Sequence, residues 1–138
     1  MENRKPMENA SSLKEEDWRE QLDDLSYSVL RESATESPFT GKYYRHNDNG
    51  NYYCKACNAL LFESEHKYDS GCGWPSFDQA VEGAITYVQD KSYGMIRTET
   101  KCSNCNSHLG HVFDDGPQQT TGKRYCINSV CLDFDKKI

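Results

Sequence analysis

Apolar residues near the start of the chain recur at intervals that suit an amphipathic helix. The residues of this stripe are Leu13, Trp18, Leu22 and Leu25. Ser12 followed by Glu15 has the residue types of a capping box, and it predicts Ser12 as the helix N-cap. A second helical segment is predicted over 27–32, and Pro38 ends this part of the chain because the residue before a proline favours extended geometry.

After Pro38 the pattern changes to short apolar and aromatic runs separated by turn residues. The Tyr-rich runs 41–44 and 50–54 are separated by a stretch that ends in Asn-Asp-Asn-Gly, which predicts a β-hairpin. Further strands are predicted at 60–62, 85–88, 94–99, 111–113, 124–127 and 130–134. This pattern predicts a mainly β, antiparallel domain preceded by helices. We expect residues 1–11 to form a flexible tail and residues 12–138 to form a single domain.

Composition and charge exclude several classes of protein. The chain has 138 residues, 28% of them charged, and no apolar run approaches the roughly 20 residues that span a bilayer, so an integral membrane protein is excluded. The formal net charge of −6 disfavours nucleic acids and anionic membrane surfaces, since an acidic chain releases no phosphate counterions. The first 18 residues lack the apolar region of a secretory signal. We therefore expect a cytoplasmic location, with neither nucleic acid nor membrane as a partner.

Seven cysteines are the strongest chemical signal in the sequence. In a reducing compartment, cysteines at short spacing indicate metal binding or catalysis rather than a disulfide framework. Four of them form two CxxC knuckles, Cys54 with Cys57 and Cys102 with Cys105. Each knuckle offers two thiolates, so the two together complete a tetrahedral site for one structural zinc ion. The alternative for either knuckle alone is a redox pair or two buried thiols.

Cys126 has polar neighbours that suit a nucleophile. The thiolate is the reactive form of cysteine, and a nearby cation lowers the thiol pKa. In a strand, Arg124 and Asn128 lie on the same face as Cys126. The amide of Asn128 could then hydrogen-bond a substrate oxygen or a histidine. The alternative is a buried structural cysteine.

Cys72 lies in a loop that suits a mobile thiol. Glycines on both sides leave the thiol reachable and the loop pliable. Trp74, two residues later, offers an apolar wall. The alternative is that Trp74 and Phe77 are core aromatic residues.

Two histidines, His108 and His111, lie close together in the sequence. A histidine near a thiol can act as a general acid or base at neutral pH. The alternative for this pair is a second metal site or a surface pair. Cys131, five residues after Cys126, would lie on the opposite face of a continuous strand. We interpret it as a small core residue, with a spare resolving thiol as the alternative.

The motifs that contain these residues occur together in one known family. Five segments follow family order and spacing over roughly residues 12–135: CKACNALLF, KYDSGCGWPSF, GMIRTE, CSNCNSHLGHVFDDGP and GKRYCINS. In these segments the chain closely resembles the methionine-R-sulfoxide reductases of the B type. The resemblance implies a mainly β, β-tent-like fold of two antiparallel sheets with N-terminal helices outside. It also implies zinc on the four knuckle cysteines.

The resemblance further implies a role for each candidate side chain. Cys126 matches the catalytic cysteine, and Cys72 matches the resolving cysteine that many members carry. Trp74 matches the aromatic wall for the substrate methyl group, and Phe113 matches a site-lining aromatic residue. The polar positions of the family's active site match His108, His111, Arg124 and Asn128.

Two positions depart from the family pattern. Many members have a histidine before the Gly-Met of GMIRTE, where this chain has Tyr93. The residues after Ser129 usually read Ala-Ser-Leu, and here they include Cys131. The resemblance therefore carries no role over to either residue.

The implied activity is reduction of the R epimer of methionine sulfoxide, peptide-bound or free, which repairs oxidised proteins. Cys126 attacks the sulfoxide sulfur while a histidine, His111 in our interpretation, protonates the oxygen, and a sulfenic acid is left on Cys126. Cys72 then forms a disulfide with Cys126, and thioredoxin reduces it by exchange. The expected partners are oxidised proteins or peptides and thioredoxin, and the expected state is a monomer.

Two non-enzymatic interpretations compete with this one. A zinc-stapled β domain could serve as a binding module, in which Cys126 and the histidines would be dispensable. A zinc-ribbon binder of nucleic acid is disfavoured by the net charge of −6 and by the lack of a basic, aromatic-interleaved face. The joint presence of the two candidate thiols, the two histidines and Trp74 favours the enzyme.

Overall fold

The computed structural model describes residues 5–136. Within them, two short helices, α1 (Glu15–Gln21) and α2 (Asp24–Glu32), precede nine strands. The strands are β1 (Gly50–Cys54), β2 (Leu60–Glu63), β3 (Lys67–Tyr68), β4 (Ser76–Phe77), β5 (Ile85–Asp90), β6 (Arg97–Cys102), β7 (His108–Phe113), β8 (Arg124–Ile127) and β9 (Leu132–Lys136). They form a three-stranded sheet, β2-β1-β9, and a six-stranded sheet, β3-β4-β8-β7-β6-β5, both antiparallel. The predicted fold class is confirmed.

Helix α1 begins later than the sequence pattern predicts. Ser12 ends a short 3₁₀ turn, and its hydroxyl donates to the carbonyl of Asn9 at 2.8 Å. Lys14 takes the N-cap position, and the carboxylate of Asp17 accepts its backbone N–H at 3.1 Å. The predicted capping box is therefore wrong, because a competing local hydrogen bond engages the Ser12 hydroxyl.

The predicted apolar stripe is divided between the two helices. The backbone becomes extended at Leu22, and the side chain of Asp23 caps the next helix. Leu25 is consequently out of register with Trp18: Trp18 is fully buried, whereas Leu25 is 53% exposed. Neither helix within residues 5–136 has the length and the apolar run that a membrane crossing needs.

The predicted hairpin between runs 41–44 and 50–54 does not form. Strand β1 pairs instead with β2 and β9, while 41–44 passes through turns. Contacts distant in sequence hold Tyr43 there. Its N–H donates to the hydroxyl of Ser129 at 2.8 Å, and its ring meets the ring of Tyr52 edge to face at 5.7 Å. These tertiary contacts override the local turn pattern.

Two other predicted strands are displaced along the chain. The strand predicted at 94–99 begins at Arg97, after a 3₁₀ turn. The strand predicted at 130–134 begins at Leu132, because Cys131 ends another 3₁₀ turn. Cys131 is fully buried, as expected of a small core residue, although it does not lie in a continuous strand with Cys126.

The core lies between the two sheets and determines which faces of the strands remain free. Phe62 of the smaller sheet stacks on Phe77 of the larger one at 4.2 Å and meets Tyr125 edge to face at 5.7 Å. Because side chains alternate along a strand, Arg124 and Cys126 lie on the face of β8 opposite Tyr125. That outer face carries the site described below.

The segment before α1 contacts the two CxxC loops. Residues 1–4 of the predicted flexible tail lie outside the described residues. From Lys5 onward, the carbonyls of Lys5 and Met7 accept hydrogen bonds from the amides of Asn58 and Asn104, each at 3.0 Å. The N–H of Met7 also donates to the carbonyl of Cys57 at 2.6 Å. Lys5 and Met7 therefore lie against the two CxxC loops, and the domain boundary at residue 12 stays a prediction.

Candidate active site

The four cysteines of the two CxxC knuckles converge at one point. Their sulfur atoms all lie within 4.8 Å of one another, and all four residues are buried. The Sγ atoms of Cys54 and Cys105 are 3.7 Å apart, and those of Cys57 and Cys102 are 3.5 Å apart. A tetrahedron with Zn–S bonds of about 2.3 Å has edges of roughly 3.8 Å. The spacing and the chemistry of these donors therefore fit a zinc ion.

The same backbone turn closes each knuckle. Asn58 and Asn106, directly after the second cysteine of each motif, have positive φ angles of 71° and 65°. Asparagine tolerates this left-handed geometry better than most residues. The two N–H groups donate to the carbonyls of Cys54 and Cys102 at 2.8 and 2.7 Å. The turn brings both thiols of a knuckle to one side of the chain.

A second cluster of functional side chains lines a cavity of about 300 Å³. Seven predicted site residues line it: Cys72, Trp74, His111, Phe113, Arg124, Cys126 and Asn128. Three residues that the sequence did not indicate also line it: Thr35, Arg97 and Gly110. His108 lies behind this lining, with its ring 5.7 Å from the ring of His111.

Strand register explains why these side chains meet. His111 of β7 lies directly opposite Cys126 of β8, and Phe113 lies opposite Arg124. On its other side, Cys126 pairs with Ser76 of β4. Opposed residues of antiparallel strands share a face of the sheet. The thiol, the imidazole, the guanidinium and the aromatic ring therefore occupy one surface.

Cys72 and Cys126 form a pair of thiols with their Sγ atoms 3.4 Å apart. The hydrogen bond from Cys126 lowers the pKa of Cys72 to about 4. The same hydrogen bond, together with burial, raises the pKa of Cys126, and the Arg124 guanidinium opposes that rise. The pair therefore releases one proton readily and shares the other across the hydrogen bond.

Two glycines shape the loop that carries Cys72. Gly71 and Gly73 have positive φ angles of 78° and 100°, which glycine adopts without steric cost. The Sγ atom of Cys72 also contacts the hydroxyl of Ser76 and the carbonyl of Trp74, each at 3.4 Å. The loop thus holds its thiol at the start of β4, beside the strand that carries Cys126.

Arg124 is oriented by an acidic partner. Its guanidinium donates to both carboxylate oxygens of Asp115, at 2.8 and 3.2 Å. It also lies over the ring of Phe113, 4.4 Å from the centroid. A bidentate pair of this kind fixes the plane of the guanidinium. Asp115 therefore orients the Arg124 guanidinium towards the thiols and offsets part of the guanidinium charge.

Each histidine of the HxxH segment is paired with a carboxylate. The Nε2 atom of His111 is 2.8 Å from Asp90 Oδ2, and the Nδ1 atom of His108 is 2.7 Å from Glu99 Oε2. The hydrogen bond from His111 holds the pKa of Asp90 well below its ordinary value. Burial lowers the pKa of His108, although Glu99 acts in the opposite direction.

Asn128 is oriented by backbone groups. Its Oδ1 atom accepts the N–H of Glu36 at 2.9 Å, and its Nδ2 atom donates to the carbonyl of Leu109 at 3.0 Å. The carbonyl of Glu36 accepts the indole N–H of Trp74 at 3.1 Å. Among the described residues, the expected hydrogen bond between Asn128 and a histidine is not made, because the backbone uses both ends of the amide.

The acidic residues of the site are not evident from the sequence. Glu99 and Asp115 lie inside the quoted segments GMIRTE and CSNCNSHLGHVFDDGP, and Asp90 lies a few residues earlier. Their roles depend on pairing across strands. The one usable signal is the alternation of Arg97 and Glu99, which puts both charges on one face of β6.

Known proteins resemble this chain over most of its length. The SelR domain matches residues 22–136. The chain is 60% identical over 113 residues to the peptide methionine sulfoxide reductase MsrB of Variovorax paradoxus (strain S110). These 113 residues are 81% of this chain and 82% of that protein. It is 48% identical over 131 residues to the probable methionine-R-sulfoxide reductase B of Caenorhabditis elegans, which covers 94% and 86% of the two chains.

The fold and the site define a thiol-based oxidoreductase. A mainly β scaffold brings a pair of thiols and an imidazole to one cavity and four further thiols to a separate buried cluster. With the match to the SelR domain over most of its length, the chain belongs to the family of B-type methionine sulfoxide reductases.

Proposed function

We propose that this protein reduces the R epimer of methionine sulfoxide, peptide-bound in oxidised proteins or free, to methionine. The observation that supports this most strongly is the Cys72–Cys126 pair, 3.4 Å apart and directly opposite His111. Family membership supports the same reaction, and the name of the nematode relative specifies the R epimer.

Cys126 is the attacking sulfur in this proposal. The lowered pKa of Cys72 places the resting negative charge on Cys72. Transfer of the shared proton from Cys126 to Cys72 across the 3.4 Å contact puts the thiolate on Cys126, the sulfur that lies opposite His111. Its thiolate forms an S–S bond to the sulfoxide sulfur while the S–O bond breaks. A bare oxide is a poor leaving group, so the oxygen has to leave as water and needs two protons.

Two groups in the cavity supply these protons. His111, as imidazolium, donates the first. Cys72, which holds the shared thiol proton once Cys126 is the thiolate, donates the second. A water molecule then attacks the sulfur of Cys126, methionine leaves, and a proton returns to His111. Cys126 is left as a sulfenic acid.

Cys72 resolves this intermediate. Now a thiolate, it attacks the sulfur of Cys126, and the hydroxyl leaves as water with the proton from His111. The two sulfur atoms have to approach only from 3.4 Å to the length of a disulfide, about 2.05 Å. A dithiol reductant of the thioredoxin class then restores both thiols by exchange.

The remaining cavity residues bind and orient. The ring of Trp74, held through its N–H, forms the wall for the substrate methyl group, and Phe113 forms another part of the lining. Arg124 favours the thiolate state of the pair. Asn128, fixed by the backbone, shapes the floor, and His108 supports the ring of His111 from behind.

We assign one zinc ion to the four knuckle cysteines. One knuckle follows β1 of the smaller sheet, and the other joins β6 to β7 of the larger sheet. A closed four-thiolate site supplies a structural cross-link and leaves no position for substrate. The ion would join the two sheets next to the start of β7, the strand that carries both histidines.

Thiol chemistry also supports a compartment and a reductant. Metal-bound and redox-active thiols both require a reducing environment, such as the cytoplasm. The thioredoxin potential of about −270 mV suits reduction of a catalytic disulfide. The monomeric state stays a prediction.

The test is turnover of separated R and S epimers of N-acetyl-methionine sulfoxide with a thioredoxin system. We expect reduction of the R epimer alone, and its loss in Cys126→Ser. Cys131→Ser is the matched control, because it removes a buried thiol outside the cavity lining and should retain activity. A zinc-loaded wild type that reduces neither epimer would instead favour the binding-module interpretation.

A further inference from the structure

The carboxylate of Asp90, the last residue of β5, is fixed at both of its oxygen atoms. Oδ2 lies 2.8 Å from the Nε2 atom of His111 and 3.3 Å from a guanidinium nitrogen of Arg97. Oδ1 accepts the backbone N–H of Ser92 at 2.9 Å. No sequence pattern indicates Asp90 as a site residue. Three contacts from three different parts of the chain hold it there.

We propose that Asp90 is a positioning residue that orients the ring of His111. This inference rests on the proposed function, in which His111 donates a proton to the sulfoxide oxygen. The hydrogen bond that one ring nitrogen of a histidine makes sets the role of the other nitrogen. With Nε2 committed to Asp90, Nδ1 is the ring nitrogen left for the substrate.

Strand register shows how Asp90 reaches this position. Asp90 pairs with Arg97 across β5 and β6, and Glu99 of β6 pairs with His111 of β7. All four residues therefore share the face that carries Cys126. The contact between Asp90 and His111 crosses the intervening strand diagonally, and Arg97 of that strand donates to the same carboxylate oxygen. The Asp90 carboxylate is therefore held by Arg97 of β6, which also lines the cavity.

Several charged or titratable groups surround His111 from the elements packed against it: Asp90, Arg97, Glu99, His108, Arg124, Cys72 and Cys126. Most of them are engaged elsewhere. Glu99 is bonded to His108, Arg124 is bonded to Asp115, and the two thiols are bonded to each other. Within residues 5–136, Asp90 is the one carboxylate hydrogen-bonded to the His111 ring.

The ionisation of Asp90 agrees with this geometry. The hydrogen bond from His111 holds the pKa of Asp90 well below its ordinary value, so the residue stays a carboxylate throughout the neutral range. Asp90→Asn keeps the shape of the side chain and an acceptor for the Ser92 N–H. It removes the negative charge and replaces the oxygen that faces His111 and Arg97 with an amide NH2 group. The substitution therefore removes the interaction with His111 and keeps the size of the side chain.

The test is kcat and KM of the zinc-loaded protein with the R epimer of N-acetyl-methionine sulfoxide at neutral pH. In Asp90→Asn we expect kcat to fall by about tenfold or more while KM stays within about twofold, because the ring that donates the proton is no longer held in place. Asp48→Asn is the matched control, because Asp48 pairs with His46 at 3.6 Å outside the cavity lining.

Two further variants keep the inference testable if Asp90→Asn folds poorly. Asp90→Glu retains the charge but displaces the carboxylate, so kcat should fall here as well. In a His111→Gln background, Asp90→Asn should cause no further loss, because the two residues act as a unit.

The outcomes separate the two proposals. An unchanged kcat in Asp90→Asn or in Asp90→Glu would overturn the role of Asp90 and leave the proposed function intact. A further loss in the His111→Gln background would also overturn it. If the wild type itself shows no turnover, the proposed function fails and the role of Asp90 fails with it.

Discussion

The Sγ atoms of Cys72 and Cys126 lie 3.4 Å apart although 54 positions separate the two residues in the sequence. Cys72 comes from a glycine-flanked loop, and Cys126 comes from the middle of a strand. The link between them is Ser76, which contacts the thiol of Cys72 and pairs with Cys126 across β4 and β8. A disulfide between the two sulfurs therefore requires a local shift of the loop rather than a movement of the domain.

Cys72→Ser is expected to separate the first turnover from recycling. Cys126 should still reduce one equivalent of substrate, although more slowly, since water has to replace Cys72 as the donor of the second proton. The steady-state rate with thioredoxin should fall by about 100-fold or more, because an intramolecular thiol is lost. Rapid-quench measurement of methionine distinguishes the two phases. In Cys131→Ser, both phases should persist. Recycling that survives in Cys72→Ser would shift the resolving role to another thiol.

Removal of zinc is expected to destabilise the whole domain, since the four-cysteine cluster joins the two sheets. Metal analysis should find close to one zinc ion per chain, and chelation should lower the melting temperature by roughly 10 °C or more. Cys57→Ser should reproduce that loss, whereas Cys131→Ala should keep its metal. A chain purified without zinc that melts at the same temperature before and after chelation would refute the assignment.

Glu36 is expected to make stability depend on pH. Its side chain is 4% exposed, and burial raises its pKa above the ordinary value of 4.5. Protonated Glu36 therefore stabilises the folded state relative to the unfolded state. This contribution to the unfolding free energy is fully present below pH 4.5 and is lost as pH rises through the raised pKa of Glu36. Glu36→Gln keeps an acceptor for the N–H of Val130 and removes the titration.

The measurement for Glu36 is the unfolding free energy of the zinc-loaded wild type and Glu36→Gln across this pH range. The unfolding free energy of the variant should increase relative to that of the wild type as pH rises. The difference between the two should become constant above the pKa of Glu36. A difference that does not change with pH would show that Glu36 does not titrate in this window.

Gly110→Ala is expected to disturb both stability and catalysis. A Cβ atom at Gly110 would overlap the backbone carbonyl of Cys126 on the neighbouring strand, so the two strands would have to separate. We expect a loss of about 1–3 kcal/mol of unfolding free energy, typical of overpacking, and a lower kcat. Gly83→Ala is the comparison variant. Gly83 has a positive φ of 79°, and a Cβ atom there would meet nothing within 4 Å, so this substitution strains the backbone without steric overlap. An equal or smaller loss at Gly110 would contradict this account.

Local patterns predicted the parts of this protein that depend on neighbours in sequence. The alternation around Cys126 and the two CxxC turns are of this kind. The local pattern predicts a hairpin that includes Tyr43. This prediction is wrong because the contacts of Tyr43 with Ser129 and Tyr52 depend on the tertiary fold. Asp90 could not be predicted for a similar reason. Its contact with His111 depends on the pairing of β5, β6 and β7, and this pairing is not visible in the sequence.

The most direct test of the account is a single turnover without reductant. Zinc-loaded wild-type protein is mixed with one equivalent of the R epimer of N-acetyl-methionine sulfoxide, alkylated, and mapped by mass spectrometry. We predict one methionine and one Cys72–Cys126 disulfide per chain, with the four knuckle cysteines and Cys131 still reduced. Methionine formed without that disulfide, or a disulfide that involves any other cysteine, would contradict the central claim that these two thiols carry the redox chemistry.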